Sequence, residues 1–327
     1  MRISRREILA LSACGVVFAS RPPALAAPEQ LRTVRVGKAI ISSFPFAGIE
    51  LGVKQGIWKS VGLTVEISVF RGDGQLQQAL AAGSVDFGFG SGPGMGYAAK
   101  GVPAHAVAVV ANRPANMALV VAKNSRITTL QGLKGKRIGV STAGSLTDWL
   151  TRNIAISQKW KPTDIEIVPM GEMRTRLAAM RTGELAGAVT SVQEAYEMQD
   201  NGQGAVLTTF GDVVPHFHTH VIFARDELIQ KDPDLVRRFL KGWFTIAAFM
   251  RDHRAETVKA NAATMHLSEK VIDETYNIET GMMSYDGQFD PQALNVIQHS
   301  LKDLQILDFQ PDIAKLYNGK FVPVRIN

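Results

Sequence analysis

Six short segments of this 327-residue chain are rich in glycine, serine and threonine, and most of them lead into a helical pattern. The first backbone N–H groups of a helix have no partner within the helix, and the helix dipole is positive there. Such segments are therefore suited to bind a carboxylate, sulfonate or nitrate group. The six segments are Ile41–Phe46, Arg71–Gly74, Ser91–Met95, Ser141–Ser145, Met170–Arg174 and Thr190–Glu194.

Charged side chains offer a second kind of chemistry. Three arginines are candidates for a bidentate pair with an anion, with a solvated surface position as the alternative for each. Three acidic residues are candidates for holding a cationic group if the ligand has one, with capping or solvent exposure as the alternative. The arginines are Arg113, Arg174 and Arg176, and the acidic residues are Glu50, Asp73 and Glu194.

Three alternating histidines, His216, His218 and His220, would share one face of a β-strand. This arrangement is compatible with zinc or copper, but no Asp or Glu lies between them. We favour a structural or surface role, with contact of one histidine with the ligand as the alternative. No Walker A, Gly-x-Ser-x-Gly, His-Glu-x-x-His or Gly-x-Gly-x-x-Gly motif occurs. We therefore predict no catalytic residue, no metal site and no cofactor.

An internal repeat indicates the elements that position these segments. Arg35-Val36-Gly37 begins one β pattern, and Arg137-Ile138-Gly139 begins a similar one about 100 residues later. Each copy continues through an amphipathic helix, which ends at Gly83 in the first and at Gly183 in the second. The order strand, helix, strand, helix, strand is the βαβ pattern of a parallel sheet with helices on both faces.

Two similar α/β units predict two lobes with a ligand cleft between them, because open parallel sheets bind ligands beyond the carboxyl ends of their strands. The chain after Ala224 is nearly all helical and has no sheet of its own, so it should pack on one of the lobes. The predicted crossovers between the lobes are Ala106–Ala111, Met117–Ala122 and His218–Ala224. We predict one lobe from residues 27–113 together with 225–327, and the other from residues 114–224.

Residues 1–26 have the pattern of an export signal: Arg5-Arg6, an apolar run from Ile8 to Ala19, and Ala24-Leu25-Ala26 as the cleavage site. The paired arginines favour the twin-arginine route, with an ordinary secretory signal as the alternative. Leu11-Ser12-Ala13-Cys14 resembles a lipoprotein box, but the apolar run before Cys14 is short. We therefore expect cleavage after Ala26 and a periplasmic protein, rather than lipid anchoring at Cys14.

Cleavage after Ala26 removes Cys14, the single cysteine of the chain. The mature protein would then have no disulfide, thiolate metal ligand or cysteine nucleophile. The whole chain has a formal net charge of +6, and the signal carries four arginines against one glutamate, so the mature chain keeps +3. This weak charge, without a Lys/Arg run, argues against a nucleic-acid partner. No uncharged apolar run reaches about 18 residues, which excludes a multi-span membrane protein.

Five motifs carry a family resemblance: Val34–Gly37, Glu50–Trp58, Gly62–Glu66, Gln78–Gly88 and Leu130–Val140. Together they resemble the extracytoplasmic substrate-binding proteins of ABC importers for aliphatic sulfonates, taurine and nitrate. This SsuA/THI5-like, NMT1-type superfamily also includes thiamine-precursor binding proteins. The resemblance extends, more weakly, over nearly the whole mature chain, and its motifs say little about the ligand.

The resemblance implies a type II periplasmic-binding-protein-like α/β fold, in which each lobe is a mostly parallel sheet flanked by helices. The two lobes would close over a ligand by a hinge motion and dock on a membrane permease. Phe44 and Phe46 would pack either on an organic part of the ligand or as a staple on the following helix. The ligand-binding residues carried over from the resemblance are Ser42, Ser43, Phe44, Gly72, Asp73, Ser91, Gly92, Asn116, Thr142, Gly144, Ser145, Thr190 and Ser191.

We therefore predict the periplasmic substrate-binding component of an ABC importer, a monomer without catalysis. Its ligand would be a small anionic organic solute, similar to a sulfonate, taurine or nitrate or to an aromatic acid. An enzyme on the same fold, or a protein for binding or biosynthesis of a thiamine-precursor pyrimidine, is the alternative. A binding subunit that reports its ligand to a sensor is a third, weaker hypothesis.

Overall fold

Two five-stranded sheets covered by helices make up this protein. The computed structural model describes residues 31–326 apart from 42, 212, 213, 215, 304 and 305. The predicted export signal, its cleavage site after Ala26 and the lipidation alternative at Cys14 lie outside the described residues. From residue 31 onward the chain forms one compact unit. Within the described part, no helix is both long enough and apolar enough to cross a bilayer.

Both sheets have the same plan. The first contains β1 (Arg32–Lys38), β2 (Leu63–Val69), β3 (Phe87–Ser91), β4 (Ala104–Ala111) and β10 (His220–Arg225), in the order β2-β1-β3-β10-β4. The second contains β5 (Met117–Ala122), β6 (Arg137–Val140), β7 (Glu166–Pro169), β8 (Gly187–Ser191) and β9 (Gly204–Thr209), in the order β7-β6-β8-β5-β9. In each sheet one strand, β10 or β5, runs against the other four. The sheets are therefore mostly parallel, as predicted.

Helices cover these sheets, and a helical region follows β10 as the sequence predicts. The helices are α1 (Phe44–Lys54), α2 (Ile57–Ser60), α3 (Asp73–Ala81), α4 (Gly96–Ala99), α5 (Leu146–Ser157), α6 (Met173–Arg181), α7 (Val192–Asp200), α8 (Asp226–Lys231), α9 (Pro233–Asp252), α10 (Arg254–Met265), α11 (Glu269–Met282) and α12 (Pro291–Asp303). Five of them, α1, α3, α5, α6 and α7, each follow a strand, whereas α12 belongs to the helical region after β10.

Aromatic packing fixes α9 on the first sheet. Asp232 caps its N-terminus by accepting a hydrogen bond from a backbone amide of the first turn. Phe239 stacks on Phe87 of β3, with 3.8 Å between the ring centroids, and Trp243 packs edge-on against Phe89 at 4.6 Å. The four rings are buried. This long helix therefore packs on the first sheet, and its aromatic rings form part of the hydrophobic core there.

Two connections, residues 112–116 and 210–219, run between the sheets. The second connection ends at β10, whose residues His220 to Ala224 pair with β3 and β4. The predicted boundary put residues up to 224 in the second lobe, whereas this pairing places 220–224 in the first sheet. The reason is burial, since the apolar run after His220 is covered on both sides and needs the central position that it takes between β3 and β4.

Candidate functional site

A largely enclosed pocket lies between the carboxyl ends of the two sets of parallel strands. Residues that follow β1, β2 and β3 line one side of it, and residues that follow β6, β7 and β8 line the other. This is the position at which parallel sheets bind ligands. The predicted ligand residues that the structure brings to this pocket are Ser43, Gly72, Asp73, Ser91, Asn116, Thr190 and Ser191.

Other predicted residues have a packing or capping role beside the pocket. The Phe44 ring is buried and packs edge-on against Tyr276 at 6.0 Å, which corresponds to the staple alternative. Ser145 caps α5 by accepting a hydrogen bond from the Asp148 amide, and the Gly144 amide donates to the Asp148 carboxylate at 2.6 Å. None of these three predicted residues lines the pocket. Ser42 lies outside the described residues.

Two further predicted residues, Gly92 and Thr142, make contacts between segments beside the pocket. Gly92 lies against the second connection between the sheets, and a Cβ built on it would be 2.1 Å from the backbone oxygen of His218. Thr142 reaches across the cleft, where its hydroxyl accepts a hydrogen bond from the Gly74 amide at 3.4 Å. It also fills the space beside Gly72, whose φ of 119° favours glycine. These contacts position the pocket walls without lining them.

The pocket is also lined by residues outside the predicted set of ligand-binding residues. For some of them the sequence left a structural role open as the alternative, and others were not predicted at all. Phe46, Arg176, Glu194 and His220 were candidates and do line it. The apolar part of the wall, which includes Ala39, Ile40, Met117 and Leu146, was not predicted, because nothing in its pattern separates it from core residues. Glu172 was missed as well, although its place just before a helix inside a predicted segment was a usable signal.

Carboxylates occupy the helix starts that face the pocket. Asp73 is the first residue of α3, Glu172 is the N-cap residue of α6, and Glu194 lies in the first turn of α7. A negative side chain at such a position is stabilised by the helix dipole. The positive N-terminal ends of α3, α6 and α7, which the sequence predicted as sites for an anionic ligand, thus each already have an acidic side chain of the chain itself.

Asp73 is buried and strongly hydrogen-bonded. Its carboxylate accepts from the Ser91 amide at 2.8 Å and from the Ser91 hydroxyl at 2.9 Å. Burial raises its pKa, and hydrogen bonds from Ser91 and from the Leu146 amide lower it in part. Leu146 begins α5 on the opposite side of the cleft, so Asp73 ties the two sides of the pocket together.

Glu172 and Glu194 are less satisfied. The Glu172 carboxylate makes no capping hydrogen bond. Its pKa is raised by burial and by the negative charge of Glu194, while Arg176 and Arg71 act in the opposite direction. One Glu194 oxygen, Oε2, accepts from the hydroxyls of Thr190 and Ser191. The negative charges of the two glutamates therefore repel each other.

Arg176 supplies the positive charge of the pocket. Its side chain is buried, its Nη1 donates to the backbone oxygen of Val189 at 2.5 Å, and its Nε has no partner among the described residues. Burial lowers the pKa of this guanidinium, and the charges of Glu194 and Glu172 oppose that shift. With no ion pair to either glutamate among the described residues, Arg176 balances only part of the negative charge.

His220 and Ser43 present polar atoms without partners. Burial lowers the pKa of His220 to about 3, so the ring is neutral at neutral pH. Its ring centroid lies 4.7 Å from that of Phe46, and its Nδ1 has no partner in the described part of the chain. Ser43 is the N-cap residue of α1, yet its hydroxyl makes no capping bond and is likewise unpartnered. Buried polar atoms of this kind need a water or a ligand group.

The other two histidines of the predicted trio lie away from the pocket wall. His218 is buried and accepts a hydrogen bond from the Asp290 amide at 3.1 Å, and burial lowers its pKa to about 4. His216 is about half exposed, with its Nδ1 3.5 Å from the Asp290 carboxylate. Over the described residues, no group of three or more His, Cys, Asp or Glu side chains has a geometry for holding a metal ion.

Several hydrogen bonds cross the cleft or brace its hinge. The Tyr97 hydroxyl donates to the backbone oxygen of Ala143 at 2.9 Å. Asn116, in the first connection between the sheets, donates from Nδ2 to buried Glu279 at 3.1 Å, and Gln193 of α7 donates to the other carboxylate oxygen at 2.5 Å. The two sides of the pocket are therefore in contact in this structure.

Curated relatives of the chain include binding proteins. A Brucella abortus (strain 2308) protein with the provisional name of a binding protein is 28% identical over 242 residues, which is 73% of this chain and 72% of the relative. A Bacillus subtilis (strain 168) protein with the provisional name of an aliphatic sulfonates-binding protein is 24% identical over 268 residues, or 81% of this chain and 78% of the relative.

Solved structures share the fold at low identity. The alkanesulfonate-binding protein SsuA of Xanthomonas axonopodis pv. citri, bound to MOPS, has a TM-score of 0.75 at 17% identity and covers 89% of this chain and 99% of its own. A Candida albicans protein with the generic periplasmic binding protein fold also has a TM-score of 0.75 at 17% identity, over 91% and 99%. The desulfurization enzyme DSZB follows with 0.61 at 17%, over 89% and 97%. The predicted fold class is confirmed.

The family model for NMT1/THI5-like proteins matches residues 43–257, which is more than half of the chain. The matched part begins at the start of α1, contains the whole second sheet and most of the residues that line the pocket, and ends within α10. It confirms the resemblance that the sequence motifs indicate. The chain belongs to the NMT1/THI5-like family.

Proposed function

We propose that this chain is the substrate-binding component of an ABC importer, which holds a small organic solute in the pocket between the two sheets and passes it to a permease. The observation that carries the proposal is the pocket itself, because residues from both sheets close it at the strand ends and leave buried polar atoms without partners. The Bacillus subtilis relative with the name of an aliphatic sulfonates-binding protein supports the same role.

The connections between the sheets suit a hinge. Only residues 112–116 and 210–219 lead from one sheet to the other along the described chain. Single hydrogen bonds such as Tyr97 to Ala143 cross the cleft, and each is weak enough to break and re-form as the lobes open and close. We assign residues 27–113 and 220–327 to one moving lobe and 114–219 to the other, because β10 pairs with β3 and β4 of the first sheet.

The protein acts as a monomer in the periplasm. Support for this location comes from the sequence pattern of residues 1–26, with its paired arginines and its cleavage site after Ala26. A permease in the membrane is the partner that a periplasmic binding protein serves. No feature of the weakly charged chain points to a nucleic acid.

Catalysis on the same fold is the competing function, since DSZB is an enzyme. A hydrolytic serine needs a base within hydrogen-bond reach. In the described pocket the Ser91 hydroxyl donates to Asp73, and neither the Ser43 hydroxyl nor His220 Nδ1 has a partner. Hydroxyl–carboxylate pairs do occur there, Ser91 with Asp73 and both Thr190 and Ser191 with Glu194. No hydroxyl of the described pocket is paired with a histidine, which favours binding without turnover.

A thermal-shift screen tests the proposal, with sulfonates, nitrate, aromatic acids, pyrimidines and amines as candidate ligands. A ligand at ~100 times its dissociation constant adds about 2.7 kcal/mol to the stability, which corresponds to about 4 °C for a chain of this size. Each hit is then incubated with the protein for a day and quantified by mass spectrometry. Uptake of the hit is compared in cells with and without the gene.

A hit that stays chemically unchanged and whose uptake depends on the gene is the expected result. Conversion of the hit into a product would replace binding with catalysis. Unchanged uptake in cells without the gene would separate the protein from import and favour a sensing role instead.

A further inference from the structure

The charges that line the pocket are mostly negative. Asp73, Glu172 and Glu194 contribute three carboxylates, whereas Arg176 contributes one guanidinium. His220 adds no positive charge, because burial keeps its ring neutral. A ligand with only an anionic group would enter a pocket in which its own charge is in excess.

The same carboxylates take the helix ends that would otherwise attract an anion. Glu172 and Glu194 lie in or next to the first turns of α6 and α7, and Asp73 begins α3. The Asp73 carboxylate also accepts from the Leu146 amide at the start of α5. Four helix N-termini around the pocket are thus opposed by side chains of the chain itself, and their capacity for a sulfonate or nitrate is reduced.

Acceptors without donors are a second, independent observation. His220 is 4% exposed, and one of its ring nitrogens already makes a hydrogen bond to the backbone of Gly90. A neutral ring that donates one proton to a carbonyl has a bare nitrogen left, which here is the unpartnered Nδ1. The His220 Nδ1 atom therefore requires a donor that the described chain does not supply. The Glu172 side chain makes no capping hydrogen bond at the start of α6.

Glu172 and Glu194 are close enough for each charge to affect the other. The charges of Arg176 and Arg71 act on Glu172, but no direct ion pair joins a Lys or Arg to either glutamate in the described part of the chain. A cation between two such carboxylates would turn their repulsion into two attractions, and its N–H groups would complete their hydrogen bonding.

We infer that the solute carries a protonated amine, which Glu172 and Glu194 bind at the starts of α6 and α7. This inference rests on the proposed function and names the ligand class of its pocket. Ile40, Phe46, Met117 and Leu146 form an apolar part of the wall, so the rest of the solute is largely apolar.

Matched probes test the charge directly. Benzylamine, benzyl alcohol and benzoate share one apolar body and differ in charge, and taurine and ethanesulfonate differ by one ammonium group. Each is added at 10 mM to the protein expressed as the full chain, and thermal shift and calorimetry report binding. We expect benzylamine or taurine to bind at least tenfold more tightly than its partners without an ammonium group, since a hydrogen bond to a charged group has about that effect.

Variants locate the effect. Glu172→Gln and Glu194→Gln keep the shape of the side chain, and each should weaken amine binding at least tenfold while leaving circular dichroism unchanged. Glu197→Gln is the matched control, because Glu197 lies one turn further along α7 and does not line the pocket. It should leave amine binding within twofold.

Two results would overturn the inference. If benzoate or ethanesulfonate binds as tightly as its amine partner, or if neither amine binds at 10 mM, the solute is not recognised through an ammonium group. Tight binding of the anions alone would leave the proposed function intact, because a transported solute would still occupy the pocket. Conversion of a bound probe would instead contradict the proposed function.

Discussion

Glu279 should make the protein less stable as the pH rises. Its side chain is fully buried on α11, between Asn116 of the first connection and Gln193 of α7. Burial raises its pKa from 4.5 to about 8, and the two amide donors reverse only part of this shift. The folded protein therefore keeps a proton on Glu279 at pH values at which the unfolded chain has lost it.

The sign and the size follow from proton linkage. Because the folded pKa is the higher one, the contribution is fully present below pH 4.5 and declines as the pH rises to about 8. The decline approaches about 1.4 kcal/mol per pH unit inside this window, which amounts to about 3 kcal/mol between pH 5.0 and pH 7.5. A glutamine cannot ionise, so Glu279→Gln should not show this decline.

Urea unfolding, followed by tryptophan fluorescence, measures the effect at both pH values. We expect the stability of Glu279→Gln relative to wild type to increase by about 3 kcal/mol from pH 5.0 to pH 7.5. The variant should still fold, because its new amide can donate to Asn116 Oδ1 or Gln193 Oε1, both unpartnered in the described structure. Glu269→Gln, which removes an exposed carboxylate from the same helix, is the control, and its difference should stay within about 0.5 kcal/mol. A difference for Glu279→Gln that is equal at the two pH values would refute the reasoning.

Three further predictions concern packing, charge and closure. Gly92→Ala places a methyl group 2.1 Å from a backbone carbonyl and should destabilise the protein by about 3 kcal/mol, whereas Gly281→Ala, with open space around its Cβ, should stabilise α11 by up to about 1 kcal/mol. Thermal unfolding compares the two. Glu50→Gln leaves the fully buried Lys38 ammonium without its partner at 2.5 Å and should cost about 2 kcal/mol in urea unfolding, more than Lys38→Met. Tyr97→Phe removes a hydrogen bond of 2.9 Å across the cleft and should weaken ligand binding about two- to tenfold by calorimetry.

The fold was predictable because its signals are local and repeated. The internal repeat gave β1 and β6, the helices that end before Gly83 and Gly183, and the strands that follow them. Burial explains the part that differed, since β10 is apolar on both faces and lies between β3 and β4 instead of only leading into the first lobe. No periodicity of the sequence distinguishes an inserted central strand from a crossover.

The candidate site was only partly predictable. Serines and glycines after strands mark the loops, so Ser43, Gly72 and Ser91 could be found from the sequence. Side-chain direction could not, and it decides that Phe44 turns into the core whereas Phe46, two residues later, lines the pocket. The spacing of two residues places these rings on different sides of α1.

The start of a helix favours an anionic ligand only if no acidic side chain of the protein already lies there. The sequence predicted an anionic ligand from the helix starts alone, whereas the structure shows carboxylates at several of them. The backbone geometry of a βα loop is general to parallel sheets, whereas the residue at the N-cap or in the first turn belongs to this chain. Ser43 leaves the start of α1 open, but Glu172 puts a carboxylate at the start of α6. The ligand class therefore depends on a few acidic side chains on a common backbone, so Glu172→Gln should shift the preference from an amine toward an anion without changing the fold.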